Sequence, residues 1–167
     1  MSPAADLERA VPVAAGVHWI GALDPDLRRF DIILRTANGT TYNAYAVRGS
    51  HGVAIIDTVK LCFSETFFRR LESIADYDEI TTIVLNHLEP DHSGALPELL
   101  RRARRATLLV SPQARLMLKG LFDPVDLAGR IAFVGSGDQA DLGDRQLEFL
   151  NTPYLHWPDT QCTWLAA

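Results

Sequence analysis

The sequence predicts a mixed α/β fold of the α+β kind, with sheets covered by helices. Three observations carry that expectation. The first third reads as a β-meander, and from Asp57 onward apolar strands alternate with amphipathic helices. The densest group of reactive side chains directly follows one of those strands. With 167 residues, 47% hydrophobic and 22% charged, the chain suits one core of ordinary size, and 1–167 reads as one unit without an internal linker or repeat.

Residues 17–20, Val17-His18-Trp19-Ile20, predict a first short strand, ended by Asp24-Pro25-Asp26. Residues 30–36 are β-rich and turn at Asn38-Gly39, a strong hairpin signal, so residues 40–47 are expected to return beside them. A turn at 48–52 leads to Val53-Ala54-Ile55-Ile56, a strand apolar on both faces. Ser64 then reads as an N-cap, with Phe67, Phe68, Leu71, Ile74 and Ala75 on one helical stripe. Residues 81–85 form a continuous apolar strand, followed by a helix through Leu96, Leu99, Leu100 and Ala103. Pro97 is tolerable there because it lies near the first turn. A strand at 107–110 precedes Ser111-Pro112, read as cap and first residue of a helix running to Gly120. Residues 131–134 and 146–150 predict two more strands, divided by a turn at Gly135-Ser136-Gly137-Asp138, and another begins at Cys162. The Gly-Ser-Gly run lacks the strand–turn–helix context of a phosphate loop.

A net charge of −5 argues against a general nucleic-acid binder, which needs surplus Lys and Arg. The cluster Arg101, Arg102, Arg104 and Arg105 reads as the solvated C-terminal end of a helix. Two cysteines, Cys62 and Cys162, form no CxxC pair, which points away from a disulfide framework and toward a reducing cytoplasm. Asp6, Glu8 and Arg9 precede an apolar patch at 11–15 too short for a signal peptide, and nothing approaches the ~20 apolar residues of a membrane span. A soluble, cytoplasmic protein is expected.

The segment Asn86-His87-Leu88-Glu89-Pro90-Asp91-His92-Ser93-Gly94 places four potential metal ligands within six positions after an apolar strand. In a strand-to-helix loop this spacing lets alternate side chains converge on two neighbouring points. One metal can take His87 and Glu89, and a second Asp91 and His92. A helix beginning near Ser93-Gly94 would set its free N–H groups beside the carboxylates. His156, in Leu155-His156-Trp157-Pro158-Asp159, is the candidate fifth ligand, given a rigid and water-shielding setting by Trp157-Pro158. Asp159 reads as a residue that orients the loop or a histidine N–H. His18 and His51 read as ordinary strand and turn residues.

The run from His87 to Gly94 resembles the diiron motif of the flavodiiron proteins, or A-type flavoproteins. Leu27-Arg28-Arg29-Phe30, Gly39-Thr40-Thr41-Tyr42-Asn43-Ala44-Tyr45, Ile56-Asp57-Thr58-Val59-Lys60 and Leu155-His156-Trp157-Pro158-Asp159 resemble that family's N-terminal domain in the same order. The resemblance implies a metallo-β-lactamase-like αββα sandwich, of which this chain holds the first half. It further implies that His87, Glu89 and His156 bind one iron, and Asp91 and His92 the other. Many members of the wider superfamily carry His where this chain has Glu89. A nitrogen-rich site suits zinc and hydrolysis, whereas the mixed imidazole–carboxylate set suits iron that changes oxidation state. Asp31-Ile32-Ile33 departs from a pattern in which many relatives have a nearby His, which implies a different pocket lining.

The resemblance adds a bridging Asp and a last His, both downstream of the strand that begins at Cys162, together with a flavodoxin-like FMN domain, absent here. The implied activity is reduction of dioxygen to water or of nitric oxide to nitrous oxide. Electrons would come from FMN on that missing domain or from a partner such as rubredoxin or a flavin reductase, within a homo-oligomer. The 167-residue chain alone is expected to be inactive. Two other readings compete: a zinc hydrolase on the same fold, and a non-catalytic remnant that associates through an open sheet.

Overall fold

A computed structural model describes residues 9–30, 33–121 and 129–166. The chain opens with β1 (Val11–Ala14) and β2 (Val17–Trp19), an antiparallel pair. β1 was not foreseen; Pro12 and Ala14 are poor strand formers, and only its pairing with β2 makes it one. β3 (Ala22–Asp24), β4 (Arg29–Phe30), β5 (Leu34–Arg35) and β6 (Thr40–Tyr42) are short and form two small ribbons, β3 with β6 and β4 with β5. The hairpin expected between 30–36 and 40–47 is therefore corrected. Gly39, at φ +81°, instead turns the chain back against Asp24-Pro25, where any Cβ would strike the Asp24 carbonyl and the Pro25 backbone.

β7 (Tyr45–Gly49) and β8 (Gly52–Ile56) form the predicted hairpin. Helix α1 (Ser64–Glu72) buries Phe67, Phe68 and Leu71, as the stripe required. Ser64 is not its cap; its hydroxyl donates to the Leu61 carbonyl from inside the first turn. β9 (Ile80–Val84) follows, then the four-residue helix α2 (Pro90–Ser93), α3 (Leu96–Arg102) and β10 (Thr107–Val110). α2 begins at Pro90, earlier than the start expected near Ser93, because Pro fits the first helical turn. α4 (Ala114–Leu121) starts beyond Ser111-Pro112, so Ser111 is not its cap either. β11 (Ile131–Phe133), β12 (Gln139–Asp141), β13 (Gln146–Asn151) and β14 (Gln161–Leu165) complete the described elements.

Among the described residues, seven strands form one sheet in the order β1-β2-β7-β8-β9-β10-β11, and β12-β13-β14 form a second. β8 through β11 run parallel, each step crossing over through helix or turn, while β1, β2, β7 and β8 alternate in direction. Side-chain alternation divides the large sheet between two cores. Val53, Ile55, Ile83, Leu108 and Val110 pack with the helices, beside Phe67, Leu71, Leu96 and Leu99. Val47, Ala54, Val84 and Leu109 face the second sheet and meet Leu142, Leu147 and Phe149. The layers are therefore helix, sheet, sheet. The arginines at the end of α3 are tied to carboxylates: Arg101 and Arg102 both pair with Glu98, and Arg102 also reaches Glu72.

The parallel strands bring three carboxyl ends to one edge of the large sheet: Asp57 after β8, Asn86-His87 after β9 and Ser111 after β10. Ligand sites in open α/β sheets favour such an edge.

Candidate metal centre

The segment after β9 is anchored by Leu88, which is buried in the helix-side core, and by its backbone N–H, which donates to Asp159 Oδ2 at 2.7 Å. Gly94 lets α2 lie against the turn at Leu61; a Cβ there would sit 2.4 Å from the Leu61 nitrogen. His87 and Glu89 are thereby presented on the same side of the loop. His87 Nε2 lies 3.0 Å from Glu89 Oε2, and His156 Nε2 lies 3.2 Å from the same oxygen. One ligand atom from each of the three residues falls within 4.8 Å of the others.

The loop carrying His156 is held against the large sheet. Ser111 Oγ donates to the Asp159 carbonyl, Gln161 N–H to the Asn86 carbonyl, and Gln161 Nε2 to the Leu85 carbonyl. The Ser111 hydroxyl, read from sequence as a helix cap, is used here instead. Asp159, fully buried, also takes His87 Nδ1 at 3.1 Å, the orienting role its position suggested. With the proton on Nδ1, His87 Nε2 carries a lone pair aimed toward Glu89 Oε2. Trp157 packs edge-on against His87, with ring centroids 5.1 Å apart. It does not shield His156, whose side chain is 52% exposed; that expectation is corrected.

Asp91 and His92 sit beside this trio in α2. The His92 ring centroid lies 5.5 Å from that of His87, and His92 Nε2 lies 3.7 Å from Asp91 Oδ2. Asp91 Oδ1 and His92 Nδ1 are buried without a hydrogen-bond partner. Burial lifts the Asp91 carboxyl above its ordinary range, with Glu89 adding to the effect. For His87 and His92 burial acts downward, but the facing carboxylates prevail and both are shifted up, by Asp159 and Glu89 for the first and chiefly Asp57 for the second. Burial would raise Asp159, but His87 and the Leu88 N–H hold it below the usual range.

All five sequence-identified residues, His87, Glu89, Asp91, His92 and His156, are thus gathered at one edge of the sheet. His18 lies in β2 and His51 in the β7–β8 turn, as read. Asp31 and Ile32 lie outside the described residues. Sequence reasoning passed over Asp57 as a site residue, although an Asp ending a buried strand beside the motif-bearing strand is a usable signal.

The donor set fits a metal ion. Separations of 3.0 and 3.2 Å between ligand atoms are what bonds of about 2.0–2.2 Å to a shared ion produce. The unpartnered buried Oδ1 of Asp91 is the usual mark of a group meant for a ligand. A cavity of about 200 Å³, lined by Leu27, Arg29, Phe30, Tyr42, Lys60 and Pro90, opens onto Glu89 and Asp91.

The profile of the ODP family of β-lactamase domains matches residues 40–166. This chain belongs to that family. The type A flavoprotein fprA of Rhodobacter capsulatus is 63% identical over 161 residues, covering 94% of this chain and 36% of that protein. A nitric oxide reductase of Moorella thermoacetica is 34% identical over 160 residues, covering 95% and 39%. The structure of rubredoxin oxygen:oxidoreductase from Desulfovibrio gigas superposes with a TM-score of 0.85 at 31% identity, covering 93% of this chain and 38% of that one. The chain thus spans less than two-fifths of each of these three proteins. The resemblance to flavodiiron proteins, and the metallo-β-lactamase-like fold it implied, hold over nearly all of this ODP-family chain. His87, Glu89 and His156 form the group where a metal ion implied by that family would be held. No helix among the described residues is long and apolar enough to cross a membrane.

Proposed function

We propose that this chain is the metal-binding portion of a flavodiiron-type oxidoreductase that reduces dioxygen to water or nitric oxide to nitrous oxide. The observation that carries the reading is the convergence of His87, Glu89 and His156 on one point, with Asp91 and His92 alongside. In this reading His87, Glu89 and His156 hold one iron, and Asp91 and His92 contribute to the second. The mixed nitrogen and oxygen donors favour iron over zinc, and iron held by these residues would supply the redox chemistry needed to reduce a small molecule.

The chain's own residues bind, orient and enclose. Asp159 fixes the His87 ring so that Nε2 faces the site. Leu88 anchors the ligand loop in the core, and Trp157 keeps water from His87. The cavity beside Glu89 and Asp91 suits a diatomic substrate rather than a bulky ester. FMN would come from a flavodoxin-like domain outside residues 1–167, electrons from a rubredoxin or flavin reductase, and the working form would be a cytoplasmic homo-oligomer. The names of the Moorella thermoacetica and Desulfovibrio gigas relatives support both nitric oxide and oxygen as candidate substrates.

Metal analysis of protein isolated without air tests the proposal. Iron retained with little zinc, and oxygen or nitric oxide consumed only when the segments bearing the bridging Asp, the last His and the FMN domain are supplied, is the expected result. Zinc retained without iron, together with thioester hydrolysis, would replace it with the hydrolase reading.

A further inference from the structure

Asp57 stands out from every other residue around the site. It is non-glycine yet adopts φ +57°, a left-handed conformation shared among described non-glycine residues only with Tyr154. Such a backbone persists where the surroundings enforce it, and it concentrates at functional sites. Here three contacts enforce it. The Asp57 N–H donates to the Val84 carbonyl, Oδ1 accepts the Asn86 N–H at 2.8 Å, and Oδ2 accepts Asn86 Nδ2 at 3.4 Å. Asn86 is itself fixed from the second sheet: Thr163 Oγ1 donates to Asn86 Oδ1 at 2.7 Å, and the Gln161 N–H donates to the Asn86 carbonyl.

This arrangement leaves Oδ2 of Asp57 pointing at His92, 3.5 Å from Nδ1. That distance permits charge attraction but falls outside a directed hydrogen bond, and Nδ1 is otherwise buried without a partner. Thr58 closes the same junction: both its N–H and its Oγ1 donate to the His92 carbonyl. The opposite nitrogen, Nε2, faces Asp91.

We infer that Asp57 is a positioning residue for His92, holding its proton on Nδ1 so that Nε2 is free for a metal, through a relay that runs Thr163–Asn86–Asp57–His92. The inference builds on the metal-centre reading. It parallels the contact of Asp159 with His87, with one difference: Asp159 lies in the loop that carries His156, whereas Asp57 belongs to the end of β8. Each histidine of the motif thus has its own carboxylate, supplied by a different part of the fold. A carboxylate behind a ligating imidazole fixes both tautomer and ring angle, and its loss commonly costs 10–100-fold in metal affinity.

Nitrogen NMR of the histidine rings in the metal-free protein, at a pH alkaline enough to keep them neutral, tests this directly. The expected result is a proton on Nδ1 of both His92 and His87. In Asp57→Asn, which suits the left-handed backbone, the amide NH₂ turns toward His92, so the proton should move to Nε2 of His92 while His87 is unchanged. Asp57→Gly removes the carboxylate and favours the same backbone, so it should abolish the Nδ1 preference while keeping the fold, at the cost of the bond from the Asn86 N–H. In a cobalt titration, either variant should weaken the second binding step 10–100-fold and spare the first. If His92 in the unaltered protein carries its proton on Nε2, or keeps it on Nδ1 in both variants, the inference fails. Because the tautomer is read without metal, that failure is separate from a failure to find iron, which would overturn the proposed function instead.

Discussion

The two halves of the centre differ in how completely the described residues satisfy them. At the His87 end the ligand atoms and their supports are paired: Asp159 takes Nδ1 and the Leu88 N–H, Ser111 holds the Asp159 backbone, and Glu89 and His156 already meet, while Gln161 Oε1 behind the loop has no partner. At the His92 end, Asp91 Oδ1 and His92 Nδ1 are buried without hydrogen bonds, and the supporting carboxylate reaches from a strained backbone. Buried polar atoms left unpaired cost about 1–3 kcal/mol each, so such an arrangement is stable only if something else engages them. The first half is preorganised, and the second depends on its ligand.

Metal titration should expose that asymmetry as two steps. The tighter belongs to His87, Glu89 and His156, and the weaker to Asp91 and His92. The largest effect should follow His87→Ala, which removes the ligand that touches both Glu89 and Asp159. A cobalt titration should then show the tight step gone and only the weak one left. If the tight step survives, the assignment of halves is wrong. Asp159→Ala should weaken the same step by about 10–100-fold while leaving the other in place. Equal weakening of both steps would show that Asp159 supports the edge of the sheet as a whole rather than His87.

Much of this was legible in the sequence because chemistry and local pattern coincided. The ligand types and their spacing after β9 identified the motif, and the unbroken apolar run from Val53 to Ile56 predicted a strand with two buried faces. What was missed depends on partners remote in sequence. β1 exists only through β2, and Gly39 turns toward Asp24 rather than toward residues 30–36. Ser64 and Ser111 each stand where a helix cap is plausible, but their hydroxyls go to Leu61 and Asp159. Asp57 was unreadable as a site residue because its role comes from a backbone angle and from Asn86 and His92, which lie 29 and 35 positions away.

A smaller change at the preorganised end is Ser111→Ala. Its hydroxyl donates to the Asp159 carbonyl at 2.8 Å in a buried setting. Losing it should lower stability by about 1–2 kcal/mol in a urea melt, from the missing bond and the stranded carbonyl. Because Asp159 keeps its grip on His87 and Leu88, the tight metal step should loosen only a few-fold. A loss as large as that of Asp159→Ala would mean that the loop, not the carboxylate, sets the His87 geometry.

The smallest effect is expected at the Arg48–Glu79 pair, which has a 2.7 Å contact but lies on the surface with both side chains over two-fifths exposed. Arg48 first, and the Asp76 N–H second, hold the Glu79 carboxyl down to about 2. The folded-state pKa lies below the unfolded value, so the pair stabilises the fold above roughly pH 4.5 and loses that contribution as pH falls toward about 2. Solvent screening keeps the contribution under about 1 kcal/mol. Glu79→Gln should therefore shift the neutral-pH melt slightly, converge with the unaltered protein in acid, and leave both metal steps alone. Any change in metal affinity would show that satisfied contacts far from the centre tune it through general stability. The contrast between its two halves would then no longer be a local property of the ligand shell.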